Sequence, residues 1–144
     1  MNAAKYLVDT SALVRLLGRD GPSYGWDQAL GAGLVAICPV TELEFFYSAR
    51  SARDREQHLD TVRALFPFAP VDDRAYSRAW DVQGELTRRG EHRGPGPVDL
   101  IVAATAELQG LTLLHLDDDF ETVARVTGQP LRRLASPKNG SGTD

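Results

Sequence analysis

The sequence predicts an α/β fold, a sandwich around a mostly parallel sheet, and three observations predict it. Short apolar runs alternate with helical stretches along the 144 residues, the order that puts helices on the faces of a parallel sheet. One helical stretch, 98–108, is apolar nearly all round and must be buried. Two apolar runs stop directly on aspartate, at Asp9 and at Asp117. Ligands of open α/β sheets bind outside the carboxyl ends of the strands, so the two acids can share one sheet edge.

The elements follow in order. Tyr6-Leu7-Val8 is a short strand, followed by a turn and a helix at 12–17 with Thr10 or Ser11 as cap candidates. Gly21-Pro22-Ser23 breaks the chain before a short helix at 24–30. A second strand at 34–37 is closed by Cys38-Pro39. Thr41 caps a helix running to about Arg50, and 54–65 forms another. Phe68-Ala69-Pro70-Val71 is a poor strand, since its proline belongs at an edge or an end. A long amphipathic helix at 73–89 leads into a loop at 90–97 holding three glycines and two prolines. After the apolar helix, Gly110 is the stop, 111–116 a strand, 120–126 a helix and 131–134 a weak last strand. Residues 1–135 thus read as a single domain, and the Ser/Gly/Pro-rich 136–144 as a flexible C-terminal tail.

A chain of this length suits one domain and needs no disulfide or structural metal to fold. The single cysteine, Cys38, has no internal partner, which fits a reducing compartment. No basic-then-apolar leader opens the sequence, and no apolar run approaches the roughly 18 residues of a membrane span. The reading is a soluble cytoplasmic protein. The formal charge of −4 argues against a nucleic-acid partner, but its distribution does not. Basic residues cluster at Arg50-Ser-Ala-Arg53-Asp-Arg55 and at Arg88-Arg89-Gly-Glu-His92-Arg93.

Four acidic stations carry the chemistry. Asp9 follows a buried strand and is either a helix cap or a ligand. Asp99 sits near the start of the apolar helix, where capping accounts for an aspartate but an unpaired buried charge is costly. In "VTELEFFYSAR", Glu42 would complement the helix dipole. Glu44 shares with Thr41 and Ser48 the one face free of large apolar groups, and is favoured as the site acid. In "LLHLDDDF", Asp117 ends the strand directly, Asp119 follows two residues on, and Asp118 is the solvated member. Clustered carboxylates raise one another's pKa unless a cation joins them. All-oxygen ligation selects Mg²⁺, with Mn²⁺ able to substitute. No histidine or cysteine has metal-ligand spacing, which disfavours zinc; His58 and His92 read as surface residues, and His115, which shares a strand face with Asp117 and could line the site, reads rather as core or edge packing. There is no GxxxxGK[ST], no GxGxxG after the first strand, and Ser11 stands where aspartyl-phosphate phosphatases carry a second aspartate. Hydrolysis of a phosphodiester by water activated at the ion remains.

These residues resemble the PIN-domain ribonucleases, most closely the VapC toxins of bacterial toxin–antitoxin pairs. "YLVDTSALVRLL" looks like the family's opening strand and first acid, and "VTELEFFYSA" like its second block, in a register that puts the acid on Glu44. "VDLIVAATA" is similar to the third block and "LLHLDDDF" to the fourth, with His115 where many relatives carry threonine and Ser48 where glycine is usual. The resemblance runs from about residue 5 to 134. It implies a PIN-like three-layer α/β/α sandwich with a roughly five-stranded sheet. It also implies a single-strand-cutting, Mg²⁺-dependent endoribonuclease whose RNA substrate is structured or a single-stranded loop, a homodimer, and a cognate antitoxin that occludes the site.

On this reading Asp9, Glu44, Asp99 and Asp117 are catalytic and hold the ion together with Asp119, and Thr10 or Ser11 orients a water or ligand. Arg88, Arg89, His92 and Arg93 are RNA-contact candidates, or equally an exposed helix end whose cations complement the dipole. Two rivals stay open. One is a non-catalytic RNA- or protein-binding module, disfavoured because all four stations are filled. The other is a DNA-directed nuclease of the same broad fold, for which 144 residues leave little room.

Overall fold

The computed structural model describes residues 3–135; the expected tail at 136–144 lies outside the described residues. Four short strands run through it: β1 (Tyr6–Val8), β2 (Val35–Ala36), β3 (Thr112–His115) and β4 (Leu131–Arg133). All pair in parallel, in the order β2-β1-β3-β4. Between them lie α1 (Thr10–Leu16), a 3₁₀ turn (Gly21–Tyr24), α2 (Asp27–Gly31), α3 (Pro39–Tyr47), α4 (Ala52–Leu65), α5 (Arg74–Arg88), α6 (Pro97–Leu108) and α7 (Asp118–Thr127).

Strand alternation makes the three layers. Leu7, Ala36 and Leu113 face a core shared with Ala79, Val82, Leu86, Leu100, Phe120 and Val123, hence with α5, α6 and α7. Val8, Val35 and Leu114 face the opposite core, with Leu13 and Leu16 of α1, Leu30 of α2, Phe46 of α3 and Val62 of α4. As the sequence required, α6 buries Leu100, Val102, Ala103, Ala104, Thr105 and Ala106.

Three expectations need correction. The roughly five-stranded sheet has four strands among the described residues. The stretch around Phe68 contributes one isolated parallel bridge, Ile37 to Phe68. Ile37 N–H donates to Pro67 O and Ala69 N–H to Ile37 O, after which Pro70 has no N–H to continue the ladder. The cap of α1 is neither Thr10 nor Ser11 but Asp9, in line with the cap reading left open for that residue, and it accepts from the backbone of Ser11 and Ala12. Likewise α3 begins before Thr41, with Pro39 in the first turn. Proline's fixed φ suits that position, and its missing N–H needs no partner there.

Candidate metal centre

Parallel pairing of β1 with β3 sets Val8 beside Leu114, so Asp9 and Asp117 leave the sheet at the same, C-terminal edge. Asp99, in the first turn of α6, and Asp119, in the first turn of α7, come to that edge from the side of the core that α5, α6 and α7 share. One carboxylate oxygen each from Asp99, Asp117 and Asp119 lie within 4.8 Å of one another. Cis ligands of an octahedral Mg²⁺ are about 3 Å apart, and the ion commonly keeps several waters. The three acids therefore fit an ion held partly through water, and the donors are all oxygen.

Two of these acids also do a structural job. Asp117 caps α7 through Oδ1, which accepts from the N–H of Asp119 at 2.9 Å. Asp99 accepts the N–H of Gly96 through Oδ2 at 3.1 Å. Capping and clustering are thus compatible, since among the described residues Asp117 Oδ2 and Asp99 Oδ1 remain without hydrogen-bond donors. Asp9 differs. It is only 4% exposed, and both its oxygens are engaged by Ser11 and Ala12. The Ser11 hydroxyl spans the edge, donating to Asp9 at 2.8 Å and accepting the N–H of Leu116 at 2.9 Å. It ties α1 to the end of β3. Thr10 Oγ1 is buried with no hydrogen-bond partner among the described residues.

The electrostatics are those of a site short of positive charge. Burial pushes Asp9 up to about 6, against hydrogen bonds from Ser11 and Ala12, and the charge of Asp117 adds to the rise. Burial likewise pushes Asp99 up to about 6, with Asp117, Glu44 and Asp119 repelling its ionised form. Asp119 is raised too, by burial and then by Asp117 and Asp118. A cation would relieve all three.

Glu44 is exposed on α3 and within electrostatic reach of Asp99, though outside the closest triad. Glu42 is turned away, paired with Arg63 at 2.8 Å. Asp118 points outward and pairs with Arg133 at 2.9 Å. Of the basic candidates, Arg88 and Arg89 are both partnered by Glu85. His92 and Arg93 are exposed and make no ion pair among the described residues. They precede Gly94, where an added Cβ would stand 3.1 Å from Oδ1 of Asp119, so the basic loop closes over this acid.

Two features had weak signals in the sequence. Gly94 is one glycine in a glycine-rich loop, and nothing local marks which one meets a carboxylate 25 residues on. His115 is buried as expected, but its Nδ1 accepts the N–H of Asp117 at 3.1 Å. A histidine two residues before an acidic strand end was the available hint.

Residues 6–126 match the family described as PIN domain. Curated relatives include Ribonuclease VapC2 of Mycobacterium tuberculosis (strain CDC 1551 / Oshkosh), 43% identical over 136 residues, covering 93% of this chain and 95% of the relative. Ribonuclease VapC21 of the same strain is 36% identical over 133 residues, covering 92% and 96%. The fold is similar to that of DNA-bound VapBC from Salmonella typhimurium, with a TM-score of 0.75, 21% identity, and 92% of this chain and 99% of that chain covered. It is also similar to VapBC-5 from Mycobacterium tuberculosis, a member of the VapBC family of toxin-antitoxin systems, with a TM-score of 0.61, 25% identity and coverage of 93% and 99%.

Proposed function

The chain belongs to the PIN-domain family, and from that premise we propose that it is a Mg²⁺-dependent endoribonuclease, the toxin of a toxin–antitoxin pair that limits translation or growth. The observation that carries this reading is the triad of oxygens from Asp99, Asp117 and Asp119 at the carboxyl edge of a parallel sheet. A non-catalytic binding module has no need to keep mutually repelling carboxylates together. The relatives named ribonucleases, which this chain matches over more than nine tenths of its length, support RNA as the substrate.

Asp99, Asp117 and Asp119 would hold the ion, and Glu44 adds negative charge beside Asp99. When bound, Mg²⁺ would supply Lewis acidity, making water a better nucleophile and offsetting negative charge on the phosphate oxygens; Mn²⁺ could take its place. Asp9 is the buried anion behind the cluster, held in place by Ser11. Thr10 keeps a buried hydroxyl that has no hydrogen-bond partner among the described residues, and in this reading it orients a water or ligand. Arg93 and His92 meet RNA phosphates at the mouth of the site, while Arg88 and Arg89 contribute less because Glu85 already neutralises part of their charge.

The partners follow from the same reading: an RNA presented as a single-stranded loop, a second copy of this chain, and a cognate antitoxin. VapBC-5, a toxin-antitoxin family member of similar fold, supports the last. No described helix is long and apolar enough to cross a membrane; the cytoplasm is the proposed location. The test is incubation of the purified protein with total RNA, in Mg²⁺ and then in EDTA, with the cut ends mapped. Discrete cuts that appear in Mg²⁺ and vanish in EDTA are expected; intact RNA under all conditions would overturn the reading.

A further inference from the structure

One buried polar group in the structure leaves half of its hydrogen-bonding capacity unused. His115, the last residue of β3, is 1% exposed. Its ring packs 5.5 Å, centroid to centroid, from Phe120. Because Nδ1 accepts the N–H of Asp117, it carries no proton, and the proton of the neutral ring is on Nε2. Nε2 is buried and has no partner among the described residues. An unpaired buried N–H is destabilising, and an aliphatic side chain at this core position would avoid it. The ring's use must therefore lie with Nδ1.

Past the end of β3 two successive amides are taken up by side chains. Leu116 N–H donates to the Ser11 hydroxyl and Asp117 N–H to His115. The peptide that carries Asp117 is pinned at both ends before its carboxylate turns to accept from Asp119. We infer that His115 is a positioning residue. Through Nδ1 it fixes the backbone of Asp117, and with it the spacing of the oxygens of Asp99, Asp117 and Asp119. The inference rests on the ribonuclease reading above. The ring acts as a neutral acceptor and transfers no proton.

Asparagine and leucine separate this role from packing. Both branch at Cγ as imidazole does. Asparagine can put Oδ1 where Nδ1 stands, whereas leucine fills similar space with no acceptor. Packing alone ranks His115→Leu above His115→Asn, since a buried amide is left partly unpaired. Positioning ranks them the other way. His115→Gln carries its oxygen one bond further out and serves as a polar control, expected to behave like His115→Leu. It also keeps the comparison open if the leucine variant does not fold.

Three quantities are measured on the full chain: thermal unfolding without metal, Mn²⁺ binding from the electron paramagnetic resonance signal of the free ion, and the Mg²⁺ concentration for half-maximal RNA cleavage. Groups that orient metal ligands typically contribute ten- to a hundredfold in affinity or activity. Both metal constants should therefore weaken on the order of tenfold in His115→Leu, and by no more than about threefold in His115→Asn. That order should hold even though the asparagine variant unfolds at the lower temperature. Metal binding in His115→Leu as tight as in the wild type, or in His115→Asn as weak as in His115→Leu, would overturn the inference. Failure of the ribonuclease reading shows itself earlier and separately, as a wild type that neither binds Mn²⁺ nor cleaves RNA.

Discussion

Asp9→Asn separates charge from shape at the most buried of the site acids. Asparagine caps a helix about as well as aspartate, so the substitution chiefly removes the ionisable group. Asp9 is raised from 3.8 to about 6 in the folded protein. The folded state therefore binds the proton more tightly than the unfolded state, and stability falls as pH climbs from about 4 through 6. Two pKa units at 1.36 kcal/mol each give about 3 kcal/mol, fully developed by pH 7. At about 3–4 °C per kcal/mol for a chain of this size, that is roughly 10 °C in Tm. Asp99 acts in the same direction. His115, lowered by burial and by Arg133, acts in the opposite direction, because a buried neutral imidazole stabilises less as pH falls below its unfolded pKa. The difference between wild type and Asp9→Asn removes both contributions. Denaturant unfolding in EDTA from pH 4 to 7.5 should show the variant gaining about 3 kcal/mol on the wild type across that range. Parallel pH profiles would refute the burial argument for Asp9. Saturating Mg²⁺ at pH 7.5 should narrow the gap, because the buried negative charge of Asp9 strengthens the wild type's hold on the ion and the variant lacks it.

The other acids should separate by position. Glu44→Gln should depress RNA cleavage with little change in Tm. Glu42→Gln should leave cleavage intact and destabilise by about 1 kcal/mol, since it breaks a partly exposed pair with Arg63. Asp117→Asn should abolish cleavage, and Asp119→Asn should reduce it in a way that higher Mg²⁺ partly restores. Asp118→Asn should change Tm and cleavage little, its carboxylate being 84% exposed. Gly94→Ala adds a Cβ 3.1 Å from Asp119, so it should raise the Mg²⁺ requirement; an unchanged requirement would show that the loop yields without moving the acid.

The architecture was legible because its signals are local and repeated. Apolar runs ending on turn residues marked β1 and β3, and the all-round apolarity of 98–108 marked a helix buried against the sheet. The expected fifth strand was not realised, because a proline decides by a single missing N–H whether a bridge extends. Helix starts slipped for a similar reason. Asp9 fits the cap and Pro39 the first turn by rules that leave Thr10 and Thr41 open as caps too, and only the backbone geometry chooses between them. The convergence of Asp9, Asp99, Asp117 and Asp119 could be read from strand ends and helix starts, since a parallel sheet brings those points to one edge. Which carboxylate oxygens stay free could not, because that depends on hydrogen bonds from Ser11, Gly96 and Asp119 fixed only by the fold. The acceptor role of His115 was hidden for the same reason: burial was predictable, the direction of one ring nitrogen was not.

The central claim, that these carboxylates hold a divalent ion for RNA hydrolysis, is tested most directly at Asp99. Asp99→Asn keeps an oxygen for the N–H of Gly96 and removes only the charge. The measurement is the cleavage rate of an RNA that the wild type cuts, taken in Mg²⁺, in EDTA, and after excess Mg²⁺ is restored. The wild type should cut, stop and resume. Cleavage by Asp99→Asn should fall by orders of magnitude while the variant unfolds at the same temperature or higher, because a desolvated charge has been removed. Full cleavage by Asp99→Asn, or cleavage by the wild type in EDTA, would contradict the claim.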